Sequence, residues 1–454
     1  MFKTVAAIAT PAAVGGVSVI RISGEGAIPA AERVFRASSG RPLSGMKGYT
    51  AAYGQIYSGG QLLDDGIVTI FRAPKSYTGE DVAEISCHGG LLVTKKVLRA
   101  VLESGASLAE PGEFTRRAFL NGKMTLTQAE AVAELIGAGS EQGLRAARSA
   151  MNGALYQRIS GITGRLLKVS SHLAAYIDYP EEDVEAVTSE SLLMECEGCL
   201  DELSALLAAF DRGKVIREGV ETVIVGRPNV GKSTLMNLLS GCQKSIVTDI
   251  PGTTRDVVEE LVNLGDVTLR LADTAGIRQT ENPVEQLGVS MALERLETAG
   301  VILAVFDLSE PMRKEDEQLI GRLEGLPVIV VLNKNDLPLK FDITYVREKF
   351  PHCVKISAAE NQGVEALNKE IVSLLSLADL SSASAILQNE RQRDCAFRAK
   401  ELLKEVCDTV QAGYTLDAVD AALESALSAL MELSGERVSD AVIDEVFSHF
   451  CVGK

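Results

Sequence analysis

The sequence predicts a multidomain chain of α/β plus α class: an N-terminal α+β domain, a helical domain, and a P-loop α/β domain inserted in the helical one. Three observations lead there. Residues 1 to about 120 mix β-branched strand segments with Gly-Gly punctuation. Two later stretches, 122–215 and 379–454, carry apolar residues at three- and four-residue spacing, the period of an amphipathic helix. Between them, 216–378 alternates short apolar strands with amphipathic helices, which implies a mostly parallel sheet covered on both faces.

The first texture is carried by VSVIRISG and GIVTIFRAP, which alternate or run apolar. LLVTKKVLRAVLESG then reads as a helix stopped at Gly105. The N-terminus, MFKTVAAIATPAAVGG, reads as a strand, because no small-residue cleavage site follows a proper apolar region. TLTQAEAVAELIGAGSEQGLRAARSAM and SESLLMECEGCLDELSALLAAF are helical, as are NERQRDCAFRAKELLKEVCDTV and LDAVDAALESALSALMELSG. ETVIVG, VTLRLAD, VILAVFD, LPVIVVLN and CVKIS are the strands of the α/β domain. The expected division is therefore 1–121, then 122–215 with 379–454, interrupted by 216–378. Two separate helical domains flanking the α/β domain is the alternative.

The 454 residues suffice for two to four domains, and 46% hydrophobic with 24% charged residues is ordinary globular composition. No apolar run is long enough to span a bilayer. Eight cysteines scattered over so long a chain do not read as a disulfide scaffold, and a reducing cytoplasm is expected. The net charge of −17 repels phosphate backbones, so action on nucleic acid would need a local basic patch or a basic partner.

After ETVIVG comes Gly226-Arg227-Pro228-Asn229-Val230-Gly231-Lys232-Ser233, the phosphate-loop pattern with a strand before it and a helix after it. The glycines let backbone N–H groups wrap phosphates; Lys232 supplies a point charge to the β and γ oxygens; the Ser233 hydroxyl suits Mg²⁺. Val230 and Thr234 complete this part of the site. Asp273-Thr274-Ala275-Gly276 ends the strand VTLRLAD, its Asp placed for the Mg²⁺ water shell and its Gly for the γ-phosphate. Asn333-Lys334-Asn335-Asp336 ends LPVIVVLN, and the Asp336 carboxylate can accept two hydrogen bonds from guanine N1–H and the 2-amino group, a pair adenine does not offer. Ser357-Ala358 ends the next strand and suits a backbone contact to guanine O6. Four motifs in order, each at the C-terminal end of a strand, specify a GTP site on a Ras-like G domain. The segment Thr248 to Asp256, TDIPGTTRD, sits where a switch loop belongs, with Thr254 the expected second Mg²⁺ ligand.

Ras-like GTPases place a water-orienting Gln directly after the DTAG-type motif. Here that position is Ile277, and the nearest Gln, Gln279, is two places off. Another device must position water, and another cation must meet the transition-state charge.

The chain resembles the MnmE (also called TrmE) family of bacterial tRNA-modification GTPases over its full length. The resemblance rests on VSVIRISG, PGEFTRRAFLNGKMTLTQAEA, IPGTTRD and the final Phe450-Cys451-Val452-Gly453-Lys454. It implies a GTPase activated by potassium and by dimerisation of its G domains. Asn229 would give a side-chain oxygen to K⁺, backbone carbonyls of Thr248, Ile250 and Thr253 would complete the cage, and Glu285 would orient the attacking water through a second water. On its residues alone, Glu285 reads as a solvated carboxylate near a helix start.

The resemblance also implies that the N-terminal domain binds a tetrahydrofolate derivative (5-formyl- or methylene-tetrahydrofolate) and forms a constitutive homodimer. The matching residues are Arg21, Glu84, Lys123 and Lys454; read alone, such residues are surface or structural ion pairs. A pterin presents an N–H and an amino group side by side, which suits Glu84, and basic groups suit anionic parts of folate. Cys451 stands fourth from the end, but Val-Gly-Lys is a poor prenylation tail. It also sits at the edge of an apolar stripe, Ile443, Val446, Phe447 and Phe450, and could be a packed helix residue or an exposed thiol. The resemblance makes it the required thiol near the one-carbon site, with nucleophilic action left open. Cys196 and Cys199 form a CxxC inside a helical segment without a second pair, His88 has no companion His, and Asp307 reads as a turn residue.

The implied function is wobble-uridine modification in tRNA. A FAD- and NADH-using partner, MnmG (GidA), would join this chain, as a heterotetramer, in installing an aminomethyl or carboxymethylaminomethyl group at carbon 5. The rival is a GTP-driven assembly factor without one-carbon chemistry, which would leave Cys451 unexplained and for which no RNA-binding module is visible.

Overall fold

The computed structural model describes residues 3–178, 188–241, 260–271, 296, 299–375 and 385–454. The chain divides into two compact units, Met1–Ala133 with Leu427–Lys454, and Glu134–Ala426.

The first unit is built on a seven-stranded sheet with strands β1 (Val5–Ile8), β2 (Val17–Ser23), β3 (Phe35–Ala37), β4 (Thr50–Ser58), β5 (Gln61–Phe71), β6 (Val82–His88) and β7 (Ser107–Leu108). Their order is β3-β4-β5-β6-β2-β1-β7, antiparallel throughout except where β7 runs parallel to β1. Side chains alternate across a strand, so the register decides which residues share a face. One face, with Ile20, Ile22, Ile56, Val68, Ile70 and Ile85, is closed by helices α1 (Ala27–Val34) and α2 (Leu91–Glu103). The other face carries Thr69, Glu84, Arg21 and Ala7, neighbours across β5, β6, β2 and β1. Helix α2 ends one residue before Ser104, and Gly105 follows in a left-handed conformation, φ +108°. Helix α3 (Glu113–Leu120) completes the N-terminal part of this unit.

Helix α4 (Leu126–Gly137) leads into the second unit, where α5 (Glu141–Met151), α6 (Ala154–Asp178) and α7 (Ser189–Glu218) follow. Helix α5 is capped by Ser140, whose hydroxyl accepts the Gly143 N–H at 3.0 Å, and α7 by Thr188. A six-stranded sheet then forms from β8 (Val220–Val225), β9 (Glu260–Asn263), β10 (Thr268–Leu271), β11 (Val301–Asp307), β12 (Val328–Asn333) and β13 (Cys353–Lys355), in the order β13-β12-β11-β8-β10-β9. All pairings are parallel except β9 with β10. Apolar runs such as VILAVFD bury both faces: Leu303 and Val305 pack toward α8 (Lys232–Gly241) and α11 (Val364–Leu374), while Ile302, Ala304 and Phe306 pack toward α9 (Lys314–Leu323) and α10 (Ile343–Lys349). This is the expected mixed, mostly parallel sheet with helices on both sides.

After the sheet, α12 (Glu390–Gln411), capped by Asn389, packs along α7, so the helices flanking the sheet domain lie side by side. Helices α13 (Leu416–Ser434) and α14 (Asp440–Ser448) finish the chain. Within the first unit α14 packs on α3, with the Phe119 and Phe447 rings 6.4 Å apart. Cys196 and Cys199 on α7 and Cys407 on α12 are buried, and burial pushes the first two thiols up to about 12 and about 11. They pack as protonated, apolar side chains.

Candidate functional site: the GTP site and the tail site

The phosphate loop leaves β8 through Gly226 at φ +151° and closes through Gly231 at φ +98°. A Cβ on Gly226 would lie 2.4 Å from the Val305 carbonyl oxygen, and one on Gly231 only 2.2 Å from the Asn333 amide nitrogen. Only glycine fits either position. Asn229 between them is also left-handed, φ +67°, and its side chain is exposed, as are Ser233 and Thr234. Helix α8 starts at Lys232, so its first backbone N–H groups face the loop. The Lys232 ammonium donates to the carbonyls of Gly226 at 2.6 Å and Arg227 at 2.8 Å. Burial lowers its pKa, and among the described residues no carboxylate pairs with it. A half-buried cation on neutral oxygens beside a wrapped loop fits a bound phosphate chain.

Two of the other motifs, Asn333–Asp336 and Ser357–Ala358, converge on this loop through Asn333. Its buried amide donates to the Val230 carbonyl at 2.9 Å and accepts the Ala358 N–H at 3.1 Å, tying the phosphate loop, the end of β12 and the Ser357-Ala358 turn together. Ser357, itself buried, donates its hydroxyl to Asp336 Oδ1 at 2.6 Å and fixes that carboxylate, which stands exposed. Lys334, at φ +62°, reaches back to the Asn229 carbonyl at 3.1 Å and pairs with Asp307 at 2.6 Å. The structure thus gathers Gly226, Asn229, Val230, Gly231, Lys232, Ser233, Thr234, Asn333, Lys334, Asp336, Ser357 and Ala358 at one end of the sheet.

Asp307 is the expected turn residue at the end of a strand, its Oδ1 accepting the Ser309 N–H at 2.9 Å, and this geometry gives it a further contact. It is 2% exposed, ends the central strand β11, and accepts from Lys334 and from both the N–H and hydroxyl of Ser309. Burial alone would raise its carboxyl; the Lys334 and Ser309 hydrogen bonds and the Lys334 charge outweigh that and hold it below the ordinary value. Its position directly between the strands of two nucleotide motifs was the available signal. Arg227 is a second residue that the pattern alone does not reveal: it is buried against α9, 2.7 Å from Glu310 and 3.4 Å from Asp316.

Thr248, Ile250, Thr253, Thr254, Asp273, Thr274, Ala275, Gly276, Ile277, Gln279 and Glu285 lie outside the described residues.

In the first unit, Arg21 and Glu84 are cross-strand partners, Nε to Oε1 at 2.8 Å. The Arg21 guanidinium lies 5.8 Å from the Tyr77 ring centroid and 5.6 Å from that of Phe114. Its Nη1 donates to the Gly453 carbonyl at 3.0 Å. Lys454 stands beside this pair; burial and the Arg21 charge lower its ammonium pKa, against Glu84, which raises it. Lys123 instead donates to the Pro74 carbonyl at 3.0 Å, on the loop preceding Tyr77. Arg21 and Lys454, a carboxylate and two rings together suit an anionic, ring-bearing ligand. Cys451 lies beyond the end of α14 and is exposed, so it is not a packed helix residue. His88 bonds through Nδ1 to Asp64 at 2.7 Å, and no cluster of His, Cys, Asp or Glu fit for a metal occurs among the described residues.

A P-loop strand and helix, an exposed Asp held by a buried Ser, and a doubly covered, mostly parallel sheet define an NTPase of the G-domain class. Comparison with known proteins makes the assignment particular. Residues 126–451 match the family model of the MnmE helical domain, and residues 4–123 match that of the GTP-binding protein TrmE N-terminus. The chain is 42% identical over 456 residues to the tRNA modification GTPase MnmE of Symbiobacterium thermophilum, covering 100% of this chain and 99% of that one. It is 42% identical over 459 residues to that of Geobacillus kaustophilus, again over 100% and 99%. The chain belongs to the MnmE (TrmE) family, and it is a GTP hydrolase of tRNA modification. Among solved structures, the G domain of the T. maritima FeoB iron transporter aligns at 24% identity and TM-score 0.26, covering 34% of this chain and 98% of that one. Aquifex aeolicus Era bound to GDP·AlF4⁻ aligns at 30% identity and TM-score 0.26, over 40% and 66%. Among the described residues, no helix is long and apolar enough to cross a membrane.

Proposed function

We propose that this chain is a potassium-activated GTPase that, as a homodimer, joins the FAD-dependent MnmG (GidA) in installing the (carboxymethyl)aminomethyl group at carbon 5 of tRNA wobble uridine. The one-carbon unit comes from a tetrahydrofolate derivative held by Arg21, Glu84, Lys123 and Lys454, next to Cys451. The observation that carries this reading is the docking of the Cys451-bearing tail against the Arg21–Glu84 pair, in a chain that also holds a GTP site. A GTP-driven assembly factor has no use for that tail site.

In the proposed GTP site Ser233 and Thr254 hold Mg²⁺. Asn229 and the carbonyls of Thr248, Ile250 and Thr253 hold K⁺, which supplies the positive charge at the transition state. Asp336 reads guanine, Ser357 and Ala358 offer a backbone contact to its O6, and Glu285 orients the attacking water through a second water. The working division is a folate-binding domain 1–121, a helical domain 122–215 with 379–454, and a G domain 216–378 inserted in it; the packing of α7 on α12 supports the insertion. The place of action is the cytoplasm. The negative net charge of −17 fits a partner that carries most of the tRNA-binding surface.

The experiment is nucleoside analysis of tRNA from cells lacking this protein. The wobble-uridine modification should disappear and return on complementation; an unchanged nucleoside profile would exclude the reading. GTP turnover in KCl should exceed turnover in NaCl at equal ionic strength, and Asn229→Ala should erase the difference. Equal rates in the two salts would remove the K⁺ site.

A further inference from the structure

We infer that Arg21 is a positioning residue: it latches the segment Cys451–Lys454 onto the N-terminal sheet and so sets where the Cys451 thiol stands. Cys451 is exposed, so packing around its own side chain does not place it. Its neighbours are fixed through their backbones. The Cys451 carbonyl accepts the Gly112 N–H at 3.4 Å, Val452 bridges to Pro111, and the Lys454 carbonyl accepts the Phe114 N–H at 3.3 Å. Gly453, at φ +99°, lies so close to β1 that a Cβ would be 2.3 Å from the Ile8 carbonyl oxygen.

Arg21 is the side chain that locks this arrangement. The planar fork donates along one edge to Glu84 at 2.8 Å and from Nη1 to the Gly453 carbonyl at 3.0 Å. A lysine offers one compact charge and cannot span both acceptors in this geometry. The rings of Tyr77 and Phe114 lie against the guanidinium, and the Tyr77 hydroxyl is 2.9 Å from Thr115 Oγ1, which holds that ring to α3. The same helix receives the tail through Phe114 N–H, so the latch and its seat are built on one element.

The functional consequence rests on the proposed role of Cys451 beside the one-carbon donor; the latch itself does not. The test uses the full chain with Cys242→Ser and Cys353→Ser, spin-labelled at Cys451 with a methanethiosulfonate nitroxide. The parent should give a motionally restricted spectrum. Arg21→Gln should give a mobile one, with exchange of the Gly112 and Phe114 amides about tenfold faster, the loss of one charge-assisted bond. Arg21→Lys should restore little of the restriction. Arg21→Lys, which keeps a cation beside Glu84, serves alone if Arg21→Gln does not fold, and a still-restricted label in it overturns the latch. Binding of 5-formyl-tetrahydrofolate is measured on the same proteins. A folded Arg21→Gln with unchanged spectrum and exchange overturns the latch, whatever happens to folate. Loss of folate binding with a still-restricted label does the same and leaves the folate reading standing. A mobile label with folate binding retained supports the latch and removes Arg21 from the folate contacts.

Discussion

Asp307 and Lys334 show how a buried carboxylate can brace a phosphate loop through a lysine. Asp307 holds Lys334, and Lys334 holds the Asn229 carbonyl of the phosphate loop. Asp307→Asn replaces one oxygen by a donor facing Ser309 or Lys334, so at least one existing donor loses its acceptor. The expected cost is about 2 kcal/mol in urea unfolding, with weaker GTP binding in a fluorescent-nucleotide titration. The pH dependence has a definite sign. The native carboxyl is held below its ordinary value, so its contribution is complete above about pH 4 and is lost as pH falls through the native value. The wild type should lose stability in that acidic window by more than Asp307→Asn does. Parallel acid unfolding curves for the two proteins would contradict the assignment.

At the scale of elements, glycine placement separates the phosphate loop from ordinary helix surface. Gly231→Ala must adopt φ near +98° and drive its methyl into the Asn333 amide. The strain is about 1–3 kcal/mol, and the Asn333 bond to Val230 is disturbed with it. GTP affinity should fall at least about tenfold. Gly321→Ala on the exposed side of α9 meets nothing within 4 Å and should instead gain about 0.5–1 kcal/mol in the same unfolding assay. Elements of this kind were legible in the sequence. The five expected G-domain strands all form, because an uninterrupted apolar run such as VIVVLN is long enough for a buried strand and too short for a helix. The register was not legible. VIRIS and DVAEIS each alternate, but nothing in either says that Arg21 will face Glu84 across the ladder. Tyr77 and Phe114 were missed for the same reason: they stand far from Arg21 in the chain, and only folding brings their rings to it.

At the scale of the whole molecule, the tail and the nucleotide site belong to different compact units. Cys451→Ser changes one atom on an exposed side chain, so the melting temperature and GTP turnover should stay within error of wild type. Wobble-uridine modification should nevertheless be absent when a deletion strain is complemented with this variant and its tRNA is analysed by mass spectrometry. Normal modification would remove the thiol from the chemistry; joint loss of turnover and fold would make it structural.

The hairpin of β9 and β10 is seated at its tip. Asn263 donates its side-chain amide to the Gly139 carbonyl, Thr268 donates to the same oxygen at 3.2 Å, and the Gly265 carbonyl accepts the Glu141 N–H at 3.0 Å. The hairpin of β4 and β5 turns through Gly59 and Gly60, which have open space around them. Chain length is therefore free at one tip and fixed at the other. A short epitope spliced between Gly59 and Gly60 should leave expression and melting temperature nearly unchanged, since longer surface turns cost little closure entropy. The same epitope spliced after Gly265 would part three hydrogen bonds and should yield a protein that melts several degrees lower. The first tip is a place to attach a reporter, and the second is a place where evolution is expected to tolerate no insertions.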